Sequence, residues 1–317
     1  MTPTGFPPTA YRGRLAPSPT GAQHVGNART YLIAWLAARK AGGELRLRME
    51  DIDSPRIKAG AAEQALDDLR WLGLDWDGEP MVQSTRLTHY ESALERLKSL
   101  NLVYPCTCTR SDVAAAASAP NLGDEGPAYP GTCAYRTSYD RPTDRPFCWR
   151  FRVKESPEFR DEYRGLVSLD LKSQGGDFVI WKTDGTPAYQ LAVVVDDAGM
   201  GITHVVRGDD LIPSTPRQLL LYQSLDWAAP QFAHVPLVVG TDGRRLAKRH
   251  GDTRLATLRQ AGVSPESLVG LLAWSCGWID RIEPITASEL VSVFNWSSIP
   301  SKPFVLTSDR LAAIGYR

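Results

Sequence analysis

The 317-residue chain carries 36 basic and 36 acidic side chains and no formal net charge, so no global basic field draws in a nucleic acid, and any such partner must meet local patches. The most apolar windows, 31–38 and 268–279, are too short to span a bilayer, and the opening MTPTGFPPTA lacks the basic region and apolar run of a signal peptide. A soluble, cytoplasmic protein is therefore expected, long enough for a nucleotide-binding domain with one or two smaller parts.

The first element is a short strand carrying Arg12, Arg14 and Leu15. A loop with Pro17, Pro19 and Gly21 follows, then His24-Val25-Gly26-Asn27 at the mouth of a helix. Proline and glycine end the strand where the helix must start, and the free N–H groups of a helix start form an anion site that suits a phosphate. His24 adds a donor for a phosphoryl oxygen, and Gly26 removes a side chain that would keep a flat ring off the backbone. H-x-G alone is a weak signal, more often a chance loop histidine.

Ala28, Tyr31, Leu32, Trp35 and Leu36 recur at helical spacing, and Gly42-Gly43 stops that helix. Glu44 to Glu50 alternates strictly, which predicts a strand with Leu45, Leu47 and Met49 on the core face and charges on a wet face. It ends in Glu50-Asp51-Ile52-Asp53, either a holder for an ammonium group or a solvated acidic turn. Helices are expected over 61–71 and 88–100, separated by a loop over 73–84. This alternation of strand and helix marks a parallel sheet with crossover connections.

Five cysteines, three of them close together, argue against a disulfide scaffold and for metal or core use. Cys106, Cys108 and Cys133 supply most of a tetrahedral zinc site, with buried structural thiols as the competing reading. Short strands of an inserted domain are expected over 150–171, and 177–182 leads into a turn at Asp184-Gly185. Residues 190–196 read as an apolar strand in the middle of a parallel sheet. A second strand, 202–207, ends at Arg207, whose planar guanidinium would grip a carboxylate through two parallel hydrogen bonds or pair with a local Asp.

A helix over 215–225 and a strand over 234–239 come next. The loop from Gly240 to His250 then clusters cations that would steady charge on a triphosphate, unless it is simply a solvated basic loop. Ser264-Pro265-Glu266-Ser267 reads as a helix entry, the helix runs to Cys276, and a polar, proline-bearing tail ends the chain.

Several of these motifs together resemble the class I aminoacyl-tRNA synthetases, in their glutamyl branch. A-P-S-P-T-G with His24-Val25-Gly26-Asn27 resembles the first signature of that family, Met49-Glu50-Asp51-Ile52-Asp53 is similar to its I/L-E-D-T-D segment, and Y-Q-L-A-V-V-V-D-D with V-R-G-D-D-L is similar to its amino acid pocket. Arg245-Leu246-Ala247-Lys248-Arg249 resembles its second signature, with Lys248 in the catalytic lysine's place, Arg245 for the first Lys and Ala247 for the usual Ser. C-T-C-T-R followed by Tyr129-Pro130-Gly131-Thr132-Cys133 resembles the branch members that act on the modified base queuosine, although residues 111–128 make a longer insert.

The resemblance implies a doubly wound parallel-sheet α/β nucleotide domain, its halves at 1–104 and 177–252, with a zinc-bearing insert at 105–176 and a helical C-terminal part at 253–317. It implies that His24 and Lys248 are catalytic and that ATP, with its Mg2+, rests on His24, Gly26, Asn27 and Lys248. L-Glutamate would meet Arg14, Leu15, Ala16, Pro17, Ser18, Glu50, Tyr189 and Arg207. Structural zinc would sit on Cys106, Cys108, Cys133 and Tyr129, with Cys148 the rival fourth ligand. The charge set, Arg14 and Arg207 for carboxylates and Glu50 for an ammonium, fits an amino dicarboxylic acid, although only pocket depth separates glutamate from aspartate.

The implied activity is activation of L-glutamate by ATP and transfer of glutamate to the queuosine base of tRNA(Asp) by a monomer. Residues 249–317 are too few for the anticodon-reading domain of an ordinary glutamyl-tRNA synthetase. The alternatives are a truncated enzyme of that ordinary kind charging tRNA(Glu), and, because of Ala247, a non-catalytic tRNA- or nucleotide-binding module.

Overall fold

The computed structural model describes residues 10–19, 22–52, 57, 59–116, 128–244, 246 and 252–316. Strand β1 (Arg12–Leu15) is followed by helix α1 (Val25–Lys40) and by β2 (Glu44–Met49), which pairs with β1 in parallel, Leu15 opposite Leu47. Helix α2 (Ala61–Trp71) leads to a short β3 (Met81–Val82), parallel to β2, and to α3 (Leu87–Ser99). The alternation seen in the sequence therefore gives parallel strands joined by helices.

The chain then leaves this layer. Strand β4 (Val103–Cys106), helix α4 (Arg110–Ala116), β5 (Cys148–Phe151), the hairpin β6 (Phe159–Asp161) and β7 (Gly165–Val167), and β8 (Phe178–Trp181) follow in order. Strands β4, β5 and β8 form an antiparallel sheet in which Cys106 lies opposite Cys148. After β8 the turn at Asp184-Gly185 forms, but its return arm is a single bridge between Trp181 and Pro187.

Residues 190–196 are not a strand: they lie in helix α5 (Tyr189–Gly199). Leu191 to Val195 are all buried, and a helix buried on every side has no polar face to reveal its period, so the run mimics a core strand. Strand β9 (His204–Gly208) and helix α6 (Ser214–Leu225) come next. The strand expected over 234–239 is two, β10 (Gln231–Val235), parallel to β9, and β11 (Val238–Val239), split at Pro236. Proline has no N–H for a ladder, and the Pro236 carbonyl is taken instead by Arg29 Nη1 at 2.7 Å.

The C-terminal stretch is structured rather than a tail. Helices α7 (Leu255–Gln260), α8 (Pro265–Ser275) and α9 (Ala287–Val293), strand β12 (Phe304–Val305) and helix α10 (Ser308–Ala312) follow one another. Leu290, Phe294, Ile299, Phe304 and Leu311 join the same apolar core as α1, and β12 pairs in parallel with β11. The helix entry at Ser264 holds: its side chain caps the Ser267 N–H, with Pro265 at the first helical position.

The parallel sheet β1–β2–β3 and the mixed sheet β7–β6–β10–β9 meet edge to edge. Thr203 N–H donates to the Arg12 carbonyl at 2.9 Å and Arg14 Nη1 to the Val206 carbonyl at 3.0 Å, which sets β9 beside β1. Ligands of open α/β sheets bind beyond the carboxyl ends of such strands. A cleft opens there.

Candidate active site

A cleft of about 200 Å3 lies beyond the ends of β1 and β9, against the first turn of α1. Arg14, Ala16, His24, Gly26, Asn27, Glu50, Tyr189 and Arg207 all line it, although they come from four separate stretches of the sequence. Leu15 is in the core, and Pro17 and Ser18 stand behind the wall: the Pro17 carbonyl accepts the Glu50 N–H at 3.0 Å, and the Ser18 carbonyl accepts the Gln23 side-chain amide. Lys248, Arg245 and Ala247, like Asp53, lie outside the described residues.

His24 is the N-cap of α1. Its Nδ1 accepts the Gly26 N–H at 3.0 Å, and its own N–H donates to Asn27 Oδ1 at 3.1 Å, so the two side chains cap the helix reciprocally. With Nδ1 spent as an acceptor, the proton of a neutral ring is on Nε2. A Cβ at Gly26 would lie 2.9 Å from His24 Cε1, so glycine is required there because the imidazole folds back over its own helix.

The helix mouth is also tied to the entry of α7. Val25 N–H donates to the Thr253 carbonyl at 3.1 Å and Leu255 N–H to the Gln23 carbonyl at 2.9 Å, with His24 and Arg254 bridged between them. Tyr316, near the chain's end, adds a hydroxyl donor to the Asp252 carbonyl.

The charges of the cleft interlock. Arg48, on the strand face that alternation marks as wet, is fully buried and donates to both Glu50 Oε1, at 2.9 Å, and Asp197 Oδ1. Asp197 also pairs with Arg14 Nε at 3.7 Å. A buried guanidinium is tolerable only with such anions beside it, and burial is outweighed here: the carboxylates keep Arg48 firmly protonated. Arg48 reaches Glu50 through Oε1, from Nε at 3.2 Å and from Nη2 at 2.9 Å.

Arg207 is different. It is 4% exposed, yet among the described residues it has no ion pair. Its Nε donates to His234 Nε2 at 3.0 Å, Nη1 to Gln218 Oε1 at 2.9 Å, and Nη2 to Thr215 Oγ1 at 2.8 Å and the Leu211 carbonyl at 3.4 Å. All four acceptors are neutral, which disposes of a local Asp as its partner. Four of its five N–H groups are thereby used, so an incoming carboxylate meets one Nη1 hydrogen and the charge rather than the two-pronged grip expected from sequence. Burial, helped by repulsion from Arg14, lowers its pKa. Burial also raises that of Tyr189, whose hydroxyl stays a donor.

Sequence reasoning missed Arg48, Asp197 and His234. Asp197 had a signal, as the second acid in the otherwise apolar run Y-Q-L-A-V-V-V-D-D; His234 had none beyond its place at the end of a strand.

Residues 10–312 match the family model for tRNA synthetases class I (E and Q), catalytic domain. The chain belongs to that family. Among curated relatives it is 50% identical over 314 residues to the Glutamyl-Q tRNA(Asp) synthetase of Rhodopirellula baltica, covering 92% of this chain and 95% of that one. It is 49% identical to the Glutamyl-Q tRNA(Asp) synthetase of Symbiobacterium thermophilum, covering 95% and 98%. The glutamate–tRNA ligase of Geobacter sulfurreducens is 42% identical over 95% of this chain but 64% of its own length. Among solved structures, a glutamate tRNA ligase from Elizabethkingia meningosepticum in complex with its amino acid superposes with a TM-score of 0.80 at 28% identity, covering 95% of this chain and 68% of that one.

This class I synthetase domain carries a second cluster, at the end of β4. The sulfurs of Cys106, Cys108 and Cys133 lie within 4.8 Å of one another, and the Tyr129 oxygen is 3.3 Å from Cys106 Sγ and 4.0 Å from Cys108 Sγ. That oxygen accepts the Cys133 N–H at 2.8 Å, which fixes it toward the thiols. Cys148 is buried beside Cys106 but stands outside the group of three. A hydrogen bond from Cys148 is the largest influence holding the Cys106 thiol down at about 4, while burial pushes Cys108 up to about 11. Three convergent thiols and one phenol oxygen are a donor set that suits zinc. Among the described residues no helix is long and apolar enough to cross a membrane.

Proposed function

We propose that this chain activates L-glutamate with ATP, forming glutamyl-adenylate and diphosphate, and then transfers glutamate to the queuosine base of tRNA(Asp), releasing AMP. One observation carries the reading: a buried Arg207 whose acceptors among the described residues are all neutral shares a cleft with Glu50 and a capped helix mouth. The chain holding that cleft is half identical, over nearly its whole length, to a protein named for this activity.

The chemistry of activation is mostly alignment and charge stabilisation, since the substrate's own α-carboxylate attacks the α-phosphorus. His24 Nε2–H and the mouth of α1, at Gly26 and Asn27, receive the triphosphate, and Lys248 supplies the cation that steadies charge as diphosphate leaves. Arg14 and Arg207 take the carboxylates, Glu50 the ammonium, and the protonated Tyr189 hydroxyl donates to the same ligand. Ala16 shapes the wall. Leu15, Pro17 and Ser18 act from behind it, through the backbone that orients Glu50 and Gln23. Magnesium accompanies ATP, held chiefly by its phosphates.

Cys106, Cys108, Cys133 and Tyr129 would hold one zinc ion. Four protein ligands leave no open position, so the metal braces the insert and takes no part in the reaction. In this reading the parallel layers form one doubly wound nucleotide domain, interrupted by the insert over 105–176 and followed by a C-terminal part from 253, and the protein works in the cytoplasm as a monomer.

The deciding assay follows ATP–diphosphate exchange driven by glutamate, glutamine or aspartate, then labelled glutamate on tRNA(Asp) with and without queuosine. Exchange with glutamate and label that depends on the modified base are the expected results. Label that persists on unmodified tRNA, or at the 3′ end of tRNA(Glu), replaces the reading with that of an ordinary glutamyl-tRNA synthetase; no exchange with any of the three leaves a binding module.

A further inference from the structure

Behind Arg207 stands a buried pair that the proposed chemistry does not use. His234, on β10, and Asp161, on β6, are both completely buried, with Nδ1 and Oδ2 2.6 Å apart. The Asp161 carboxylate also accepts the backbone N–H groups of His234, Tyr163 at 2.9 Å and Arg164 at 2.7 Å. An oxygen pair held by that many donors is fixed in place. Burial works against its charge, yet His234 and those backbone donors keep the carboxyl below its usual range.

The pair has a direction. A carboxylate is acceptor-only, so Asp161 requires the proton of a neutral ring on Nδ1, and that leaves the Nε2 lone pair facing Arg207 Nε–H at 3.0 Å. Burial holds His234 neutral, its pKa pushed down to about 4, with Arg207 and Arg14 adding to the effect. The reversed tautomer would set N–H against N–H. Thr215 Oγ1, 3.1 Å from Nε2 and 2.8 Å from Arg207 Nη2, closes the array on its other side.

We propose that Asp161 and His234 are positioning residues for amino acid recognition, fixing the plane of Arg207 so that its remaining Nη1 hydrogen and its charge face the cleft. The inference rests on the reading of that cleft as the amino acid site. It also gives the β6–β7 hairpin a task. Its first strand ends in Asp161, which fixes the tautomer, and its turn carries Arg164, whose Nη2 pairs at 2.5 Å with Asp209, two residues beyond Arg207.

The test compares His234→Asn, His234→Gln and Asp161→Asn with the unaltered protein. Calorimetric titration with L-glutamate and, separately, with a nonhydrolysable ATP analogue gives the affinities. Asparagine at 234 keeps a donor near the Nδ1 position and loses the acceptor at Nε2; glutamine places an acceptor near Nε2. Glutamate affinity should fall at least tenfold in His234→Asn and stay within threefold in His234→Gln, while the affinity for the ATP analogue stays within twofold throughout.

Asp161→Asn presents an amide donor that favours the reversed tautomer, and should behave like His234→Asn. Unaltered protein that fails to bind glutamate overturns the reading of the cleft and the inference with it. Glutamate binding by the unaltered protein that is matched by His234→Asn overturns the positioning role alone, as does a parallel loss of both ligands in every variant. If His234→Asn does not fold, the contrast between His234→Gln and Asp161→Asn decides.

Discussion

His24 and Gly26 hold each other in place: the imidazole accepts the glycine N–H at 3.0 Å, and the space a methyl group would need at Gly26 is filled by the edge of the same ring. Gly26→Ala must therefore turn the ring away or bend the first turn of α1. Misplacing a reacting group by about 1 Å costs on the order of 10²-fold in rate. Glutamate-dependent exchange should fall by about that factor while circular dichroism and the thermal midpoint change little.

Arg207→Lys keeps a cation and loses the fork that reaches His234, Gln218 and Thr215 together. A hydrogen bond to a charged group is worth about 1.5–3 kcal/mol, and the compact ammonium also gives up its water more reluctantly. The KM for glutamate should rise by about 10- to 100-fold with the KM for ATP unchanged. A rise shared by both substrates would place Arg207 outside the amino acid pocket.

Asp197→Asn tests the buried network under the cleft. It removes the anion that Arg48 and Arg14 share, and breaking a buried pair by deleting one partner costs about 3–5 kcal/mol because a charge is left uncompensated. Urea denaturation should show a loss of that size, far more than Asp67→Asn, whose partner Arg70 is exposed.

Acid should destabilise the fold through His234. Its pKa is lowered from 6.5 to about 4 in the folded chain, so between those values the unfolded chain binds the extra proton. The stabilisation is fully present above pH 6.5, is lost as the pH falls from 6.5 to 4, and changes no further from this group below that. Asp161, also held below its ordinary range, adds to the loss at the acid end. Denaturation midpoints measured from pH 7 to 4 should trace this slope, and His234→Gln should flatten it.

Metal analysis should find one zinc per chain, lost on Cys106→Ser, Cys108→Ser or Cys133→Ser and kept on Cys148→Ser, because Cys148 stands outside the group of three. Tyr129→Phe removes the oxygen 3.3 Å from Cys106 and should weaken zinc retention against a chelator. Retention in Tyr129→Phe together with loss in Cys148→Ser would exchange the two ligands.

The elements that sequence revealed are those whose two faces differ. In β2, Leu45 and Leu47 against charged neighbours announce a strand, and α1 announces itself by its cap and its glycine stop. Helix α5 reads as a strand because every side of its middle is buried, so composition carries no period. Arg48 read as solvated because its partner Asp197 is 149 residues away, and no local pattern reports a contact at that distance. Short elements such as α10 and β12 owe their existence to the core they complete rather than to propensity, which is why a proline-bearing tail was all that local reasoning could see. The cleft residues were legible one by one through their motifs. The framework that holds Arg207 was not, since Asp161, His234 and Gln218 belong to different elements and none sits in a recognisable motif.

The bonds that set β9 beside β1 have a consequence for the ribosome. Arg14 reaches the carbonyl of a residue 192 positions later, so a nascent chain that has emerged through β2 owns the helix mouth but only one wall of the pocket. Such distant closures make folding slow, and the buried guanidinium of Arg14 meets Asp197 only once α5 is made and Val206 only once β9 follows. Helper factors that shield the early half during translation would therefore raise the yield of active protein more than they raise its final stability.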